Sequence, residues 1–293
     1  MISTVTGGGR GGLGEVTVEA NPEDISAEVV RSWVLAGVNR VSLGVQSFDD
    51  SVLAWMHRSH GAAQVSSAVE ILYGEGIRRI SVDLIFALPD FLQRDWVRDL
   101  ELAVALGVGH LSLYGLTVEP RTPLGRWVDR GRVVTAPEGR YEAEFLEADR
   151  RLRAAGFDHY EVSNYARPGE AAVHNSAYWR GVPYLGLGPS AHGFDGRRRR
   201  WNRRDYVEWL GSVEQGIDPE EGGELIGPAE AAAERVYLGL RTSAGLAATD
   251  DEMARAARWL EAGWAVRAAG RLVLTPTGWM RLDALAADLI ALG

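Results

Sequence analysis

Arg40-Val41-Ser42-Leu43-Gly44-Val45-Gln46-Ser47-Phe48 reads as a short buried strand that delivers a polar amide, Gln46, at its carboxyl end. Other β-like runs in the first half finish the same way. Glu15-Val16-Thr17-Val18-Glu19 ends on Glu19, and Ile80-Ser81-Val82-Asp83-Leu84-Ile85 carries Asp83. His110-Leu111-Ser112-Leu113-Tyr114-Gly115-Leu116-Thr117 ends on Thr117. When parallel strands are separated by helices, such strand ends gather on one face, where α/β barrels and open α/β sheets keep their chemistry.

The runs between these strands have helical texture. Asn21-Pro22-Glu23-Asp24 suits a first turn, with proline and acids where a helix starts, and Gly37 is a C-terminal glycine for residues 25–36. Residues 49–57, 64–73 and 95–106 read as further helices. Strands are expected at 16–19, 38–45, 79–86 and 111–116, repeating at about the thirty-residue length of a βα unit. Residues 118–140, with Pro120, Pro123 and Pro137, read as an irregular crossing. A helix over 138–155 follows, then a strand over 160–166, less apolar and so nearer an edge. Leu185-Gly186-Leu187-Gly188-Pro189-Ser190-Ala191-His192-Gly193 is a small-residue loop where a ligand can lie against backbone. Beyond about residue 215 the texture changes. Helices at 228–240, 250–262 and 277–292, with a hairpin at 264–274, predict a winged-helix-like appendage. Its ordinary charge favours a structural or partner-contact role over DNA binding.

Composition narrows the function. The 293 residues carry a net charge of −9, which argues against general nucleic-acid or membrane-surface binding. No apolar run approaches the roughly 18 residues of a membrane span, and Met1-Ile2-Ser3-Thr4-Val5-Thr6 lacks the basic start and apolar core of a secretory signal. A cytoplasmic location is therefore expected. There are no cysteines, which removes disulfides, thiol nucleophiles and thiolate ligands to metal or iron–sulfur centres. Every basic side chain apart from histidine is an arginine, so lysine Schiff-base chemistry is removed too. The glycine-rich run within residues 1–14 precedes a strand, whereas a phosphate loop follows one and opens a helix. It reads as a flexible leader.

Glu19, Gln46, Arg58 and Asp83 form a polar constellation on the expected face. A carboxylate there can hold an ammonium or a ribose hydroxyl pair, a glutamine can donate and accept, and an arginine can grip a carboxylate with two prongs. Each alone is weak evidence, since a strand-terminal Asp is as often a helix cap as a ligand. The basic run Arg197-Arg198-Arg199-Arg200-Trp201-Asn202-Arg203-Arg204 reads as a solvated loop, with an anion site for propionates as the functional alternative and a nucleic-acid contact third.

Val18-Glu19-Ala20-Asn21-Pro22, Leu43-Gly44-Val45-Gln46-Ser47-Phe48, Val82-Asp83-Leu84-Ile85-Phe86-Ala87-Leu88-Pro89 and Leu111-Ser112-Leu113-Tyr114 together resemble the radical S-adenosylmethionine proteins of the oxygen-independent coproporphyrinogen III oxidase group. Tyr160-Glu161-Val162-Ser163-Asn164-Tyr165-Ala166-Arg167-Pro168-Gly169 and the H-N-x-x-Y-W run at His174, Asn175, Tyr178 and Trp179 look more specifically like the group's HemW-type haem chaperones. The resemblance runs from about residue 15 to residue 205. It implies an α/β fold, a partial (β/α) radical SAM barrel of parallel strands over 15–215, with a small winged-helix-like helical domain over 216–293. It implies contacts to S-adenosylmethionine from Glu19, Gln46, Arg58, Asp83 and Thr117. It also implies haem binding by His174, Asn175, Tyr178 and Trp179, with His174 the candidate iron ligand, imidazole being a natural haem ligand. Read from the residues alone, His174 caps a loop beside two aromatic core residues, and His60 and His192 structure loops.

Family members begin with a strand leading into C-x-x-x-C-x-x-C, whose thiolates hold a [4Fe–4S] cluster, and then a second strand followed by Gly-Gly-Gly-Thr-Pro. The chain has neither and looks like a member missing its first two βα units, which would leave the strand at Val16 with an open edge. The expected function is haem binding and delivery to a haem-accepting protein, with no radical catalysis and no residue in a catalytic role. The alternatives are an oxygen-independent coproporphyrinogen III oxidase and a non-catalytic binding or scaffold module. Oligomeric state is not legible.

Overall fold

The structure is a computed structural model that describes the backbone of residues 2–5 and residues 14–290. Inter-residue contacts group the chain into two compact units, one running to His174 and the other starting at Asn175. A boundary near residue 215 was expected from sequence texture; the contacts divide the chain earlier, and the basic run groups with the helices that follow it.

The first unit is a seven-stranded sheet. Its strands are β1 (Ile2–Val5), β2 (Glu15–Ala20), β3 (Arg40–Gln46), β4 (Arg79–Phe86), β5 (His110–Gly115), β6 (Asp158–Glu161) and β7 (Asn164–Ala166), in the order β1-β2-β3-β4-β5-β7-β6. Strands β2 to β5 are parallel neighbours, as the strand–helix alternation predicts. The crossover helices Ala27–Leu35 and Trp96–Ala105 are capped by their own sequence. Ser26 accepts from the Val29 amide at the start of Ala27–Leu35, and Asp95 accepts from Arg98 at the start of Trp96–Ala105. Such caps satisfy amides that a helix terminus leaves unpaired. One face of the sheet is apolar. Val16, Val18, Val41, Leu43, Val45, Ile80, Val82, Leu84, Leu111 and Leu113 are all buried, and so are Val30, Val69, Leu72 and Leu100 of the helices.

Four expectations need correction. Part of the stretch read as a leader, Ile2–Val5, is a strand. It pairs antiparallel with β2, so the edge expected to be open at Val16 is covered. Backbone donors and acceptors along an edge strand are satisfied most directly by another strand. The glycines of that leader before Gly14 lie outside the described residues. The single strand expected over 160–166 is a hairpin, β6 to β7, with β7 antiparallel to β5. Its turn is made by the buried Glu161 carboxylate, which accepts from the Ser163 amide (3.0 Å) and the Asn164 side chain, so no glycine or proline marked it. The crossing over 118–140 contains a helix, Pro123–Asp129, with Thr122 accepting from Gly125 at 3.0 Å and proline in its first turn.

The fourth concerns the arginine run. In the second unit β8 (His192–Phe194), β9 (Arg198–Asn202) and β10 (Glu220–Leu225) form an antiparallel sheet with β9 central. Arg198 pairs with Glu220, Arg199 with Glu234 (2.6 Å), and Arg200 with Asp218. Residues 198–202 of the run are a strand, and its Arg198, Arg199 and Arg200 are matched by carboxylates rather than presented free to an anion. The small-residue loop before it is closely filled: Asn202 Nδ2, from the end of β9, donates to the Gly188 carbonyl at 2.9 Å, and a Cβ at Gly186 would lie 2.1 Å from the His192 carbonyl oxygen. A β11 (Ala265–Ala268) to β12 (Arg271–Leu274) hairpin turns through Ala269 and Gly270, both at positive φ, and helices Pro228–Arg241 and Leu282–Ile290 pack nearby around Trp259 and Trp279. The helix expected over 250–262 is two, Asp250–Arg255 and Ala257–Glu261. Among the described residues no helix is long and apolar enough to cross a membrane.

Candidate functional site

Because strand side chains alternate, the face of the first sheet opposite its apolar core is fixed by the register. Glu19 pairs with Ser42, Ser42 with Ser81 and Ser81 with His110, making one polar row across four strands. The next row toward the carboxyl ends pairs Asp83 with Ser112 and Ser112 with Asn164. The sheet therefore has one dry face and one polar face, and every strand-end candidate on β2 to β4 belongs to the polar one.

Gln46 owes its direction to two backbone features. The pairing of β3 with β4 slips between Leu43 and Gln46, and Gln46 itself sits at φ +69°. A bulge of this kind re-aims a side chain, and a left-handed non-glycine residue is held only where its surroundings insist. Here the next residues insist: Ser47 Oγ donates to Asp99 at 2.8 Å and the Phe48 amide donates to the same carboxylate at 2.9 Å. Gly44 leaves the space the Gln46 amide occupies, since a Cβ there would lie 2.9 Å from Gln46 Nε2 and 3.1 Å from Asn21 Oδ1. Both atoms end flexible side chains. Gly44→Ala is therefore expected to change stability by less than about 1 kcal/mol in a thermal melt, because lost chain entropy offsets the crowding. It should still displace the Gln46 side-chain amide resonances in a nitrogen-15 spectrum; unmoved resonances would remove Gly44 from this account.

Arg58 is half-buried and donates from Nη1 to Asn21 Oδ1 at 2.9 Å, which places it beside Gln46. The loop that carries it is tied down by His60, a buried ring that meets the Glu23 carboxylate at 2.9 Å and the Val45 carbonyl at 3.2 Å. His60 is thus a loop-structuring residue, as expected. Asp83 is half-buried and accepts from Ser42 Oγ, 3.1 Å from each oxygen. Burial, with the Glu19 charge added, pushes its carboxyl up to about 6 against the pull of Ser112, Ser42 and Ser81 hydroxyls. Tyr114, on the strand beside it, is pushed up to about 12 by burial and by Asp83. Glu19 is exposed at the end of β2.

Thr117 stands apart from this group. It lies beyond the end of β5, exposed, with its hydroxyl donating to the Gly115 carbonyl at 3.3 Å. His174 begins the run expected to bind haem, on the helix Val173–Trp179. It is half-buried and close enough to Glu15 and Glu19 for both carboxylates to act on it; burial, the larger effect, holds its imidazole below the ordinary value and so neutral at pH 7. Asn175, Tyr178 and Trp179 group with the second unit. There Tyr178 meets Tyr184 edge-on at 4.7 Å, and the Arg241 guanidinium lies 4.1 Å above the Trp179 ring.

Sequence reading missed several members of the polar face. Asn21 was read as a helix start and as part of a motif, with no role at the site. Ser42, Ser81 and Ser112 are one signal, a serine at an inward position of three successive strands, that went unused. Beneath Asp83, Ser81 Oγ and His110 Nδ1 are 2.6 Å apart and His110 Nε2 is 2.8 Å from the Tyr160 hydroxyl. Burial and the Arg40 charge push His110 down to about 3, so the ring is neutral and serves the network as one donor and one acceptor.

Residues 8–103 match the radical SAM superfamily model. The haem chaperone HemW of Synechocystis is 39% identical over 79% of this chain and 57% of its own length. The haem chaperone HemW of Mycobacterium tuberculosis is 37% identical over 94% of this chain and 72% of its own length. The chain belongs to the HemW family. It spans between 57% and 72% of these two relatives. The coproporphyrinogen III oxidase HemN of Escherichia coli, a radical SAM enzyme, superposes with a TM-score of 0.74 over 95% of this chain and 70% of its own, at 16% identity. That likeness concerns the fold, and it agrees with the mostly parallel sheet. The superfamily works with S-adenosylmethionine and a [4Fe–4S] cluster. Clusters of this kind are held by thiolates, and this chain, which has no cysteine, contributes none.

Proposed function

We propose that this chain binds haem through His174 for delivery to a haem-requiring acceptor protein, and that the carboxyl ends of β2 to β4 hold S-adenosylmethionine. The observation that carries the haem reading is the His174-Asn175-x-x-Tyr178-Trp179 run on one helix, in a chain 37% identical over 94% of its length to a haem chaperone. A neutral, half-buried imidazole has a lone pair to offer iron, and the aromatic residues that follow suit a flat macrocycle.

The polar face fits the second ligand. Asp83 and Glu19 place two carboxylates near each other, with Asp83 held up to about 6 partly by that repulsion, so an ammonium or sulfonium arriving there relieves a cost already present. Arg58 suits the ligand's carboxylate, and the Gln46 amide suits a group that both donates and accepts. Thr117 belongs to this reading by its place after β5. The protein's part is to bind and orient; no reductive cleavage is assigned to a chain without cluster thiolates. Oxidase chemistry has a likeness of fold at 16% identity in its favour and no residue of this site besides.

Haem titration tests the reading. The wild-type chain should give a saturable Soret shift, and His174→Ala should weaken binding by at least tenfold, about 1.4 kcal/mol. No spectral response from the wild-type chain would overturn it.

A further inference from the structure

The segment that leads into the His174 helix is held to the polar face through its own backbone groups. Glu15, on β2, is fully buried. Its Oε1 accepts from the His174 amide at 2.9 Å, and its Oε2 accepts from the Val173 amide at 3.2 Å. The same Oε2 takes Arg40 Nε at 2.8 Å, an ion pair with side chains 2% and 0% exposed. Arg40, on β3, then reaches the segment itself: Nη2 donates to the Glu170 carbonyl at 2.8 Å and the Ala171 carbonyl at 3.3 Å. The Ala172 amide donates to the Tyr160 hydroxyl at 3.4 Å. Five consecutive residues, 170 to 174, are therefore each fixed through a backbone group, and four of those five groups go to one ion pair.

A buried ion pair is a poor source of stability, because desolvating two charges offsets most of their attraction, and apolar residues of like volume often do as well. What such a pair offers is a single geometry. Arg40 has a planar fork and Glu15 two oxygens, and here both are spent on the main chain of one segment rather than on side chains. The amide of His174 is one of the groups held, so the origin of the candidate iron ligand is set from the sheet.

We infer that Glu15 and Arg40 are positioning residues for His174: a two-residue bracket on β2 and β3 that fixes the main chain of residues 170 to 174 and so holds the imidazole at one place for its ligand. The inference rests on the haem reading for its purpose, but the bracket has a readout of its own. Neither residue touches the haem; both act through the backbone of the ligand residue.

The test uses Glu15→Leu/Arg40→Met, which removes both charges together and leaves no unpaired buried ion. Circular dichroism and a thermal melt establish folding. Amide hydrogen exchange then reads the bracket without haem: the Val173 and His174 amides should exchange at least a hundredfold faster than in the wild type, while β4 amides stay protected. With haem, the dissociation constant should rise at least tenfold and the axial-histidine signature in the resonance Raman spectrum should change. A folded double variant with unchanged exchange and an unchanged axial signature overturns the inference. If the wild-type chain shows no Soret response, the haem reading fails while the exchange measurement still decides the bracket. Should the double variant not fold, Glu15→Gln keeps the shape and one acceptor oxygen. It should give about tenfold faster exchange at Val173 or His174 and about threefold weaker haem binding; unchanged values for both overturn the inference equally.

Discussion

Arg94→Ala is expected to cost about 3–5 kcal/mol of folding stability, a large share of the roughly 5–15 kcal/mol typical of a native protein. The Arg94 side chain is fully enclosed. Its Nη1 donates to the Ile85 carbonyl at 2.7 Å and lies 3.4 Å from Asp99, its Nη2 donates to Glu144 at 2.9 Å, and its guanidinium sits 4.5 Å from the centre of the Trp96 ring. Removing it takes from Asp99 and Glu144 the cation they share; among the described residues Glu144 keeps Arg140, at 2.8 Å, and no other ion pair is formed by Asp99. Burial already holds Asp99 above the ordinary carboxylate range with Arg94 present, and its loss would raise Asp99 further. The two acids are not idle. Asp99 anchors Ser47 and Phe48 just after Gln46, and Glu144 accepts from the Ala87 amide at 2.7 Å, where the chain turns at φ +56° beyond β4. One arginine thus secures the exits of two adjacent strands. Lysine should not rescue, since a single ammonium cannot reach a carbonyl and two carboxylates at once. Urea denaturation at pH 7 measures the loss, and a value under about 1 kcal/mol, the range of an exposed pair, would contradict this account.

How much of this was legible in the residues follows from where each signal came from. Strands β2 to β5 carry β-branched and aliphatic runs, and the helices between them begin with Ser26, Asp49 and Asp95, so the parallel sheet and its order could be read locally. Glu19, Gln46 and Asp83 were legible because a polar residue at the end of an apolar strand is conspicuous. What Gln46 does was not, because its direction depends on a bulge, on Gly44 and on Asp99, which lies 53 residues along the chain in the first turn of a later helix. The Glu15 bracket was further out of reach, since its partners are 158 and 159 residues apart in sequence and one side of each bond is plain backbone. Backbone groups leave no mark on a sequence. The arginine run failed for the opposite reason: its charge was plain, but the acids that match Arg198, Arg199 and Arg200, namely Glu220, Glu234 and Asp218, belong to a strand, a helix and the loop before that strand. Charge density alone says nothing about whether the charge is spent.

Asp83→Asn should make the protein more stable and the site worse. In the folded chain the Asp83 carboxyl keeps its proton to about pH 6, where an unfolded aspartate loses it near 3.8. A group raised in this way helps folding fully below its unfolded value, and that help drains as pH climbs to the folded one. Between about pH 4 and 6 the native state holds a proton the unfolded state has shed, so stability falls across that window and then levels. The size corresponds to about 3 kcal/mol at 1.36 kcal/mol for each pH unit, and to nearer 1–2 kcal/mol once the partial exposure of Asp83 is allowed for. Asparagine has the same shape and no charge to bury, and it can still take hydrogen bonds from Ser42, Ser81 and Ser112. Denaturation midpoints should therefore show no gain for Asp83→Asn at pH 4 and a gain that grows to about 1–2 kcal/mol by pH 7. The same substitution should weaken S-adenosylmethionine binding by at least tenfold, because a neutral amide gives a cationic ligand nothing to neutralise. If Asp83→Asn instead lowers stability at pH 7 and leaves ligand affinity unchanged, Asp83 is a structural member of the serine network, and the polar face must bind through Glu19 and Arg58 without it.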